Sequence, residues 1–356
     1  MEPKNRKILV VVLVCVVLLG VPTGLMLSTG EFFPKEANPY NVLMVLPISS
    51  LDDPFTIASA TGGYASTLEE TSPVTLGLAL LGTNPGEYEE LSSLLQKKKY
   101  DLVFAPGYNT REEVLATAPL FPDIYFLILD SSLESYPDNI ADIQFKNEEV
   151  SLVTGYIAGM MTESKKVGFV GGMNDENIGR FLYGFKAGIE IAEKQRNISI
   201  PTLLAYTMDY SNELLGYELA EKMYKDGADI IFSPCGNSQF GCIKAAMTYD
   251  KYVIGVDKDM NVYAPNNVLF SATKDIETAV NYVISAFSNG TTFQGPISMG
   301  YMEWAFGIVS ISDVVPELVV ETASRLEQNI IERKIVVPKT AEELATWNVY
   351  STGLFI

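Results

Sequence analysis

From residue 40 onward, short apolar runs alternate with amphipathic stretches, and the alternation passes through the chain twice. In the first pass "NVLMVLPI", "VTLGLALL", "YDLVFAPG" and "IYFLILD" read as strands. Between them lie the helical stretches "PFTIASATGGYASTLEE", "PGEYEELSSLLQKKK" and "NTREEVLATAPLFP". The strand runs are continuously apolar, so both faces are buried, as in a parallel sheet covered by helices. The second pass opens with "EEVSLVTGYIAGMMTES", read as a long amphipathic helix, and places strands at "KVGFVGG", "SIPTLLAYT", "ADIIFSP" and "YVIGVD". Its helices are "NIGRFLYGFKAGIEIAEKQ", "NELLGYELAEKMYKDG" and one starting at about Ile243. After residue 260 come "NVLFSAT", the helix "KDIETAVNYVISAFSNG", "ISMGYMEWAFGIVSI" and a helical piece from about Pro316.

The expected fold class is therefore α/β, with two doubly wound parallel-sheet lobes joined by a hinge. Lobe 1 is expected at 41–148 with 275–300, and lobe 2 at 149–274 with 301–356.

The N-terminus is built differently. "MEPKNRK" supplies Lys4, Arg6 and Lys7, and Ile8 to Leu27 is almost wholly apolar. Roughly 20 apolar residues suffice to cross a bilayer as a helix. The basic flank favours a cytoplasmic N-terminus with the rest of the chain exported to the cell exterior. Residues 1–30 are thus expected to form an uncleaved transmembrane anchor helix, and 31–40 a linker. A cleaved signal peptide is the alternative, but no A-x-A-like site follows Leu27. Two Asn-x-Ser/Thr sequons, at Asn197 and Asn289, agree with an exterior location.

Composition removes several function classes. With 44 acidic and 25 basic residues the net charge is −19, which repels phosphate backbones and excludes nucleic acid as the expected partner. There is no histidine, so neither a Ser-His-Asp or Cys-His pair nor an imidazole metal ligand is available. No cofactor and no metal are expected, and the chain is not expected to be an enzyme.

Open α/β sheets bind ligands at the carboxyl ends of their strands. Those ends should comprise Ser49–Phe55, Ala105–Tyr108, Asp130, Gly171–Asn174, Ser233–Gly241, Asp257–Asp259 and Ser271–Lys274. They are rich in aromatics, amides and carboxylates, which suits a neutral, flat, hydroxyl-bearing ligand. "GFVGGMNDENIG" lacks both GK[ST] and the G-x-G-x-x-G order, so its glycines read as a tight strand-to-helix turn. The D-x-D of "GVDKDM" has three readings: a divalent metal site, acceptors for vicinal sugar hydroxyls, or turn capping. Asp53 in "SLDDPFTIAS" either caps the following helix or faces the ligand, with Phe55 stacking on a ring. Lys274 is either a solvated surface lysine or a donor to a ligand oxygen.

"FSPCGNSQFGCIKAA" brings Cys235 and Cys242 across a six-residue gap. Two cysteines without histidine are too few for zinc, and the C-x-x-C redox spacing is absent. On the exported side of a membrane a disulfide clamping the loop of Phe240 is the simplest expectation, with two buried free thiols as the alternative.

In order, "KVGFVGG", "FLYGFKAGI", "GADIIFSPCGNSQFG", "VIGVDKD", "APNNVLFSATKD" and "AVNYVI" resemble the basic membrane protein family of nucleoside-binding lipoproteins. These are substrate-binding components of ABC transporters with a type 1 periplasmic-binding-protein fold. The resemblance implies a purine nucleoside held in a cleft between two lobes and handed to an ABC permease. It implies that Asp53 and Phe55 lie near the base and Phe240, with Gly241 in its loop, supplies a second ring. Asp257 and Lys274 match ribose-binding positions, and Asp130 ends the "FLILD" strand where the family carries an Asp. Thr56 stands where the family has Asn, and no lipobox surrounds Cys15. Two other functions remain open: a ligand-sensing membrane receptor of the same fold, and a D-x-D metal-dependent glycosyltransferase.

Overall fold

The computed structural model describes residues 40–47, 54–65, 74–81, 89–107, 110–131, 133 and 135–348. The expected anchor and residues 31–39 of the expected linker lie outside these residues, while Tyr40, its last residue, opens the first strand. Among the described residues no helix is long and apolar enough to cross a membrane.

In chain order the elements begin β1 (Tyr40–Pro47), α1 (Pro54–Ala65), β2 (Val74–Leu81), α2 (Glu89–Lys97), β3 (Leu102–Pro106), α3 (Arg111–Thr117), β4 (Tyr125–Leu129) and β5 (Ile140–Phe145). The second cycle is α4 (Asn147–Met161), β6 (Val167–Gly171), α5 (Glu176–Arg196), β7 (Thr202–Tyr206), α6 (Glu213–Lys225), β8 (Ile230–Phe232), α7 (Gln239–Tyr249), β9 (Tyr252–Asp257) and β10 (Val268–Lys274). The chain closes with α8 (Ile276–Ser288), β11 (Gly295–Met299), β12 (Phe306–Val309), α9 (Glu317–Ile331) and α10 (Ala341–Thr346).

Two six-stranded sheets result, ordered β2-β1-β3-β4-β5-β11 and β7-β6-β8-β9-β10-β12. The chain divides into two compact units. One runs as far as Asp142 and takes in Ala279–Pro296; the other is Ile143–Thr278 with the chain from Ile297. Pairings β2–β1–β3–β4 and β7–β6–β8–β9–β10 are parallel. Every residue of β3, β6 and β8 is buried, as their unbroken apolar runs require. One unit centres on Leu43, Val103, Phe126 and Ile128, the other on Val170, Ile231, Ile243 and Val253.

Several local readings change. β12 pairs antiparallel with β10, so the second sheet is mixed rather than wholly parallel. β5 escapes an apolar-run search because Asp142 and Gln144 interrupt it; Asp142 is buried and accepts a 2.7 Å bond from the Tyr136 hydroxyl. α4 is not amphipathic, since nearly every residue from Asn147 to Gly159 is buried. It packs on α5 through interlocked glycines. A Cβ on Gly155 would lie 2.0 Å from Phe185 O, one on Gly184 2.3 Å from Glu148 O, and one on Gly188 2.0 Å from Leu152 O. The backbones touch because these positions have no side chain. α5 itself is capped by Asp175, which accepts from Ile178 N at 2.9 Å, and ends on Asn197 in a left-handed conformation.

The cysteine segment is also corrected. Gly236–Ser238 forms one 3-10 turn and α7 begins at Gln239, so Phe240, Gly241 and Cys242 are helical and not part of a loop. Cys235 and Cys242 are free thiols, both buried, and not a disulfide. The Cys242 thiol donates to Gly216 O at 3.4 Å, where α7 packs on α6. Burial, the neighbouring Cys242 and the charge of Asp257 push the Cys235 thiol well up, so it stays protonated and inert.

Candidate functional site

Both sheets share one strand order: counting strands within each unit, second, first, third, fourth, fifth. The connections therefore leave in opposite directions on either side of the first strand. Ligands of open α/β sheets bind outside the carboxyl ends at that reversal. In the second sheet the reversal lies between β6 and β8. There Gly172 N donates to Pro234 O at 3.0 Å, tying the two strand exits together.

Asp130 and Asp257 occupy equivalent places in the two units. Asp130 directly follows β4, the fourth strand of its sheet, and Asp257 ends β9, the fourth strand of the other. Both are left-handed, with φ of 53° and 69°. Asp tolerates this region better than most residues, but the conformation is uncommon and clusters at functional sites. Here it turns the chain sharply at the strand end and leaves a carboxylate there.

β9 and β10 run parallel, with Asp257 in register with Thr273. Lys274 is therefore one residue beyond Asp257 on the neighbouring strand. Lys274 is 8% exposed, which rules out the solvated-surface reading. Its ammonium lies 5.2 Å from the Phe145 ring centre and 5.1 Å from that of Phe181. Cation–π attraction to two buried rings holds the charge at the strand end.

The second aspartate of D-x-D has a structural role. Asp259 Oδ1 accepts from Asn261 N at 2.9 Å and Oδ2 from the Ser310 hydroxyl at 2.5 Å. The turn-capping reading thus holds for Asp259, and the pair does not present two open carboxylates to a metal. Phe240 packs half-buried on the β6–β8–β9 core and meets Tyr263 edge-on, with ring centres 5.0 Å apart. A Cβ on Gly241 would fall 1.9 Å from Glu213 O, so this glycine lets α7 press against α6. Gln239, fully buried, accepts from Val256 N at 3.1 Å and ties the start of α7 to the strand ending in Asp257. Asp53 lies outside the described residues; Phe55 is in the first turn of α1.

The rings at Lys274 are thus Phe145 and Phe181. The sequence reading missed both. "GRFLYGF" also hides Arg180, a buried cation between Glu148 (3.5 Å) and Glu176 (3.1 Å). The available signal was an arginine beside a phenylalanine on the apolar stripe of a helix that follows a strand-end glycine pair.

Next to Arg180's partner, Glu149 Oε2 accepts from Tyr301 N at 2.8 Å, with Lys146 3.7 Å from its other oxygen. Burial raises the pKa of Glu148, with Arg180 opposing, and likewise raises that of Glu149, opposed by Tyr301 N and Lys146. A folded carboxyl with a raised pKa holds its proton more tightly than the unfolded one. Its stabilising contribution is complete below the unfolded glutamate range and is lost as pH rises through the folded value. Glu149→Gln should therefore flatten the decline of the urea midpoint from pH 4 to pH 7. A variant whose midpoint falls as steeply as the wild type contradicts this assignment.

A family model described as "Bmp: ABC transporter substrate-binding protein PnrA-like" matches residues 42–341. Basic membrane protein A2 of Borrelia garinii subsp. bavariensis is 29% identical over 344 residues, covering 95% of this chain and 97% of that protein. Basic membrane protein A of Borreliella burgdorferi is 30% identical over 321 residues, covering 88% and 91%. Among solved structures, an ABC transporter solute-binding protein from Aeropyrum pernix K1 superposes with a TM-score of 0.70 at 22% identity, over 88% of this chain and 99% of that one. An Agrobacterium vitis solute-binding protein bound with α-D-tagatopyranose superposes with a TM-score of 0.58 at 14% identity, over 79% and 98%. At those identities the two structures speak for the fold alone, a periplasmic-binding-protein fold. The match of the family model across most of the chain decides the rest: the chain belongs to the Bmp family of PnrA-like ABC transporter substrate-binding proteins, which bind a small ligand for an ABC permease and are not enzymes.

Proposed function

We propose that the chain is an extracytoplasmic nucleoside-binding protein, with purine nucleosides favoured, tethered to the membrane by its N-terminal segment. The nucleoside is held at the strand ends and delivered to the permease. The observation that carries the ligand class is the juxtaposition of Asp257 with Lys274 at adjacent strand ends, beside Phe145 and Phe181. A carboxylate accepts from vicinal ribose hydroxyls, an ammonium donates to ribose oxygens, and a flat ring covers a base. Asp130, at the equivalent strand end of its own unit, is assigned to the ligand from the family resemblance. Asp53 and Phe55 are assigned to the base from the family resemblance. Gly241 acts indirectly, by setting the seat of α7 and hence of Phe240.

Thermal melting with nucleosides, free bases and ribose tests the reading. Purine nucleosides should raise the melting temperature more than either half alone; no shift with any nucleoside contradicts it. The ring assignment has its own test. Phe181→Ala should weaken binding by on the order of 1–3 kcal/mol, the range for aromatic–base stacking, and should also lower stability, because this ring is buried and packs on Phe232. Phe240→Ala should lower stability more than affinity, because its ring packs on the core and on Tyr263. The reverse ranking in titration calorimetry would restore Phe240 as the stacking ring.

A further inference from the structure

We propose that Asn147 reads the edge of the bound base by accepting an N–H from it, and so selects bases that carry an N–H donor, as 6-amino and 6-oxo purines do. This rests on the nucleoside reading above. Asn147 is fully buried at the start of α4. Its Nδ2 donates to Asn177 Oδ1 at 2.6 Å. Among the described residues no donor reaches its own Oδ1, which is buried as well. Folded proteins pair nearly all such atoms, so an unpaired acceptor beside a binding site points to a donor on the ligand.

The packing of α4 on α5 places this oxygen at the strand ends. A Cβ on Gly184 would meet Glu148 O, and one on Gly188 would meet Leu152 O, so the contacts advance in the same direction along both helices. The two helices therefore run parallel, with their first turns side by side. α5 starts just past the carboxyl end of β6, which puts Asn177, in its first turn, at the strand exits. Phe181 lies one turn further along the same helix face. Phe145 stands two residues before Asn147. Both rings flank the Lys274 ammonium, at 5.2 Å for Phe145 and 5.1 Å for Phe181. Segments 145–147 and 177–181 thus meet twice, once through Lys274 and once through the amide pair. A base lying on the Phe181 ring turns one edge towards that pair.

Asn177 is a positioning residue. By taking up Asn147 Nδ2 it fixes which end of the amide is left over, and the end left over is the oxygen. A carboxamide oxygen accepts and cannot donate. It pairs with the 6-amino group of adenine or the N1–H of hypoxanthine. Against unsubstituted purine it faces a ring nitrogen, and two acceptors oppose each other. A site built around a buried polar atom rejects an analogue that lacks the matching group, because the atom is then left unpaired.

Titration calorimetry on the full chain in mild detergent, with adenosine, inosine and purine riboside, tests this. The wild type should bind the better of adenosine and inosine roughly tenfold or more tightly than purine riboside, which has no N–H on its base. Asn147→Leu should abolish this preference, weakening adenosine and inosine and leaving purine riboside almost unchanged. Asn177→Ala should reduce the preference, while Asn177→Asp, which still accepts from Asn147 Nδ2, should keep it. That second pair decides the matter if Asn147→Leu does not fold. Equal affinities for all three nucleosides in the wild type overturn the inference and leave the nucleoside reading standing. So does a loss in Asn147→Leu or Asn177→Ala that all three share equally, the mark of a purely structural role. If none of the three binds the wild type, the nucleoside reading itself falls, and this inference with it.

Discussion

Asp257→Asn is expected to weaken purine nucleoside binding at least tenfold while leaving the melting temperature unchanged. The substitution is chosen for the backbone. Asp257 has φ 69°, and Asn tolerates the left-handed region nearly as well as Asp. The turn at the end of β9 therefore survives, and the negative charge is what is lost. A carboxylate accepting from two vicinal hydroxyls makes charge-assisted bonds, each worth about 1.5–3 kcal/mol. Asn retains one acceptor and aims an N–H₂ at the other hydroxyl. Asp257→Ala removes both acceptors and should cost about 3 kcal/mol or more, roughly a hundredfold in Kd. It also strains the turn by about 1–2 kcal/mol, since alanine pays for a left-handed conformation. Calorimetry and melting on the two variants separate these effects: Asn loses affinity alone, Ala loses both. An Asn variant that binds as tightly as the wild type removes Asp257 from the site.

Much of the fold was legible because burial on both faces leaves a plain mark. "KVGFVGG", "ADIIFSP" and "YVIGVD" are continuous apolar runs and became β6, β8 and β9. The aspartate and lysine at strand ends were legible for the same reason: once the strands are placed, their last residues are placed too. What was hidden shares a cause. Glycines in "PCGNSQFGC" resemble loop residues, yet Gly241 is small because α6 runs 1.9 Å from where its Cβ would be. Gly155, Gly184 and Gly188 likewise passed unmarked inside stretches read simply as helices, although a Cβ at each would meet the facing backbone at 2.0–2.3 Å. One sequence cannot distinguish a glycine that bends the chain from one that admits a neighbour, because the neighbour is distant in sequence. Phe181 stayed hidden because a ring on an apolar helix face reads as core, and only the arrival of Lys274 from a strand far along the sequence gives it a charge to meet.

Gly188→Ala should be among the most damaging single-methyl changes in the chain, lowering stability by about 3 kcal/mol. The new Cβ would fall 2.0 Å from Leu152 O and 2.5 Å from Tyr156 N. Both are backbone atoms in the middle of α4, so no rotamer change relieves the overlap. The two helices must separate, and buried residues such as Val153, Tyr156 and Phe185 lose contact with their neighbours. Gly179→Ala in the same helix is the control. Its nearest neighbour is the Tyr183 ring at 3.6 Å, an ordinary contact. Alanine is the better helix former there by about 0.8–1 kcal/mol, so this variant should be slightly more stable than the wild type. Urea denaturation of the pair reads the difference directly. Equal midpoints would mean that α4 and α5 are not packed backbone to backbone.

The nucleoside reading rests on the strand ends of β9 and β10, and a crystal structure of the chain grown with a purine nucleoside tests it most directly. The ribose hydroxyls should lie within hydrogen-bond reach of the Asp257 carboxylate, with the Lys274 ammonium on a ribose oxygen and the base against the Phe181 ring. A nucleoside bound away from both side chains, or crystals that take up none at saturating concentration, would contradict it.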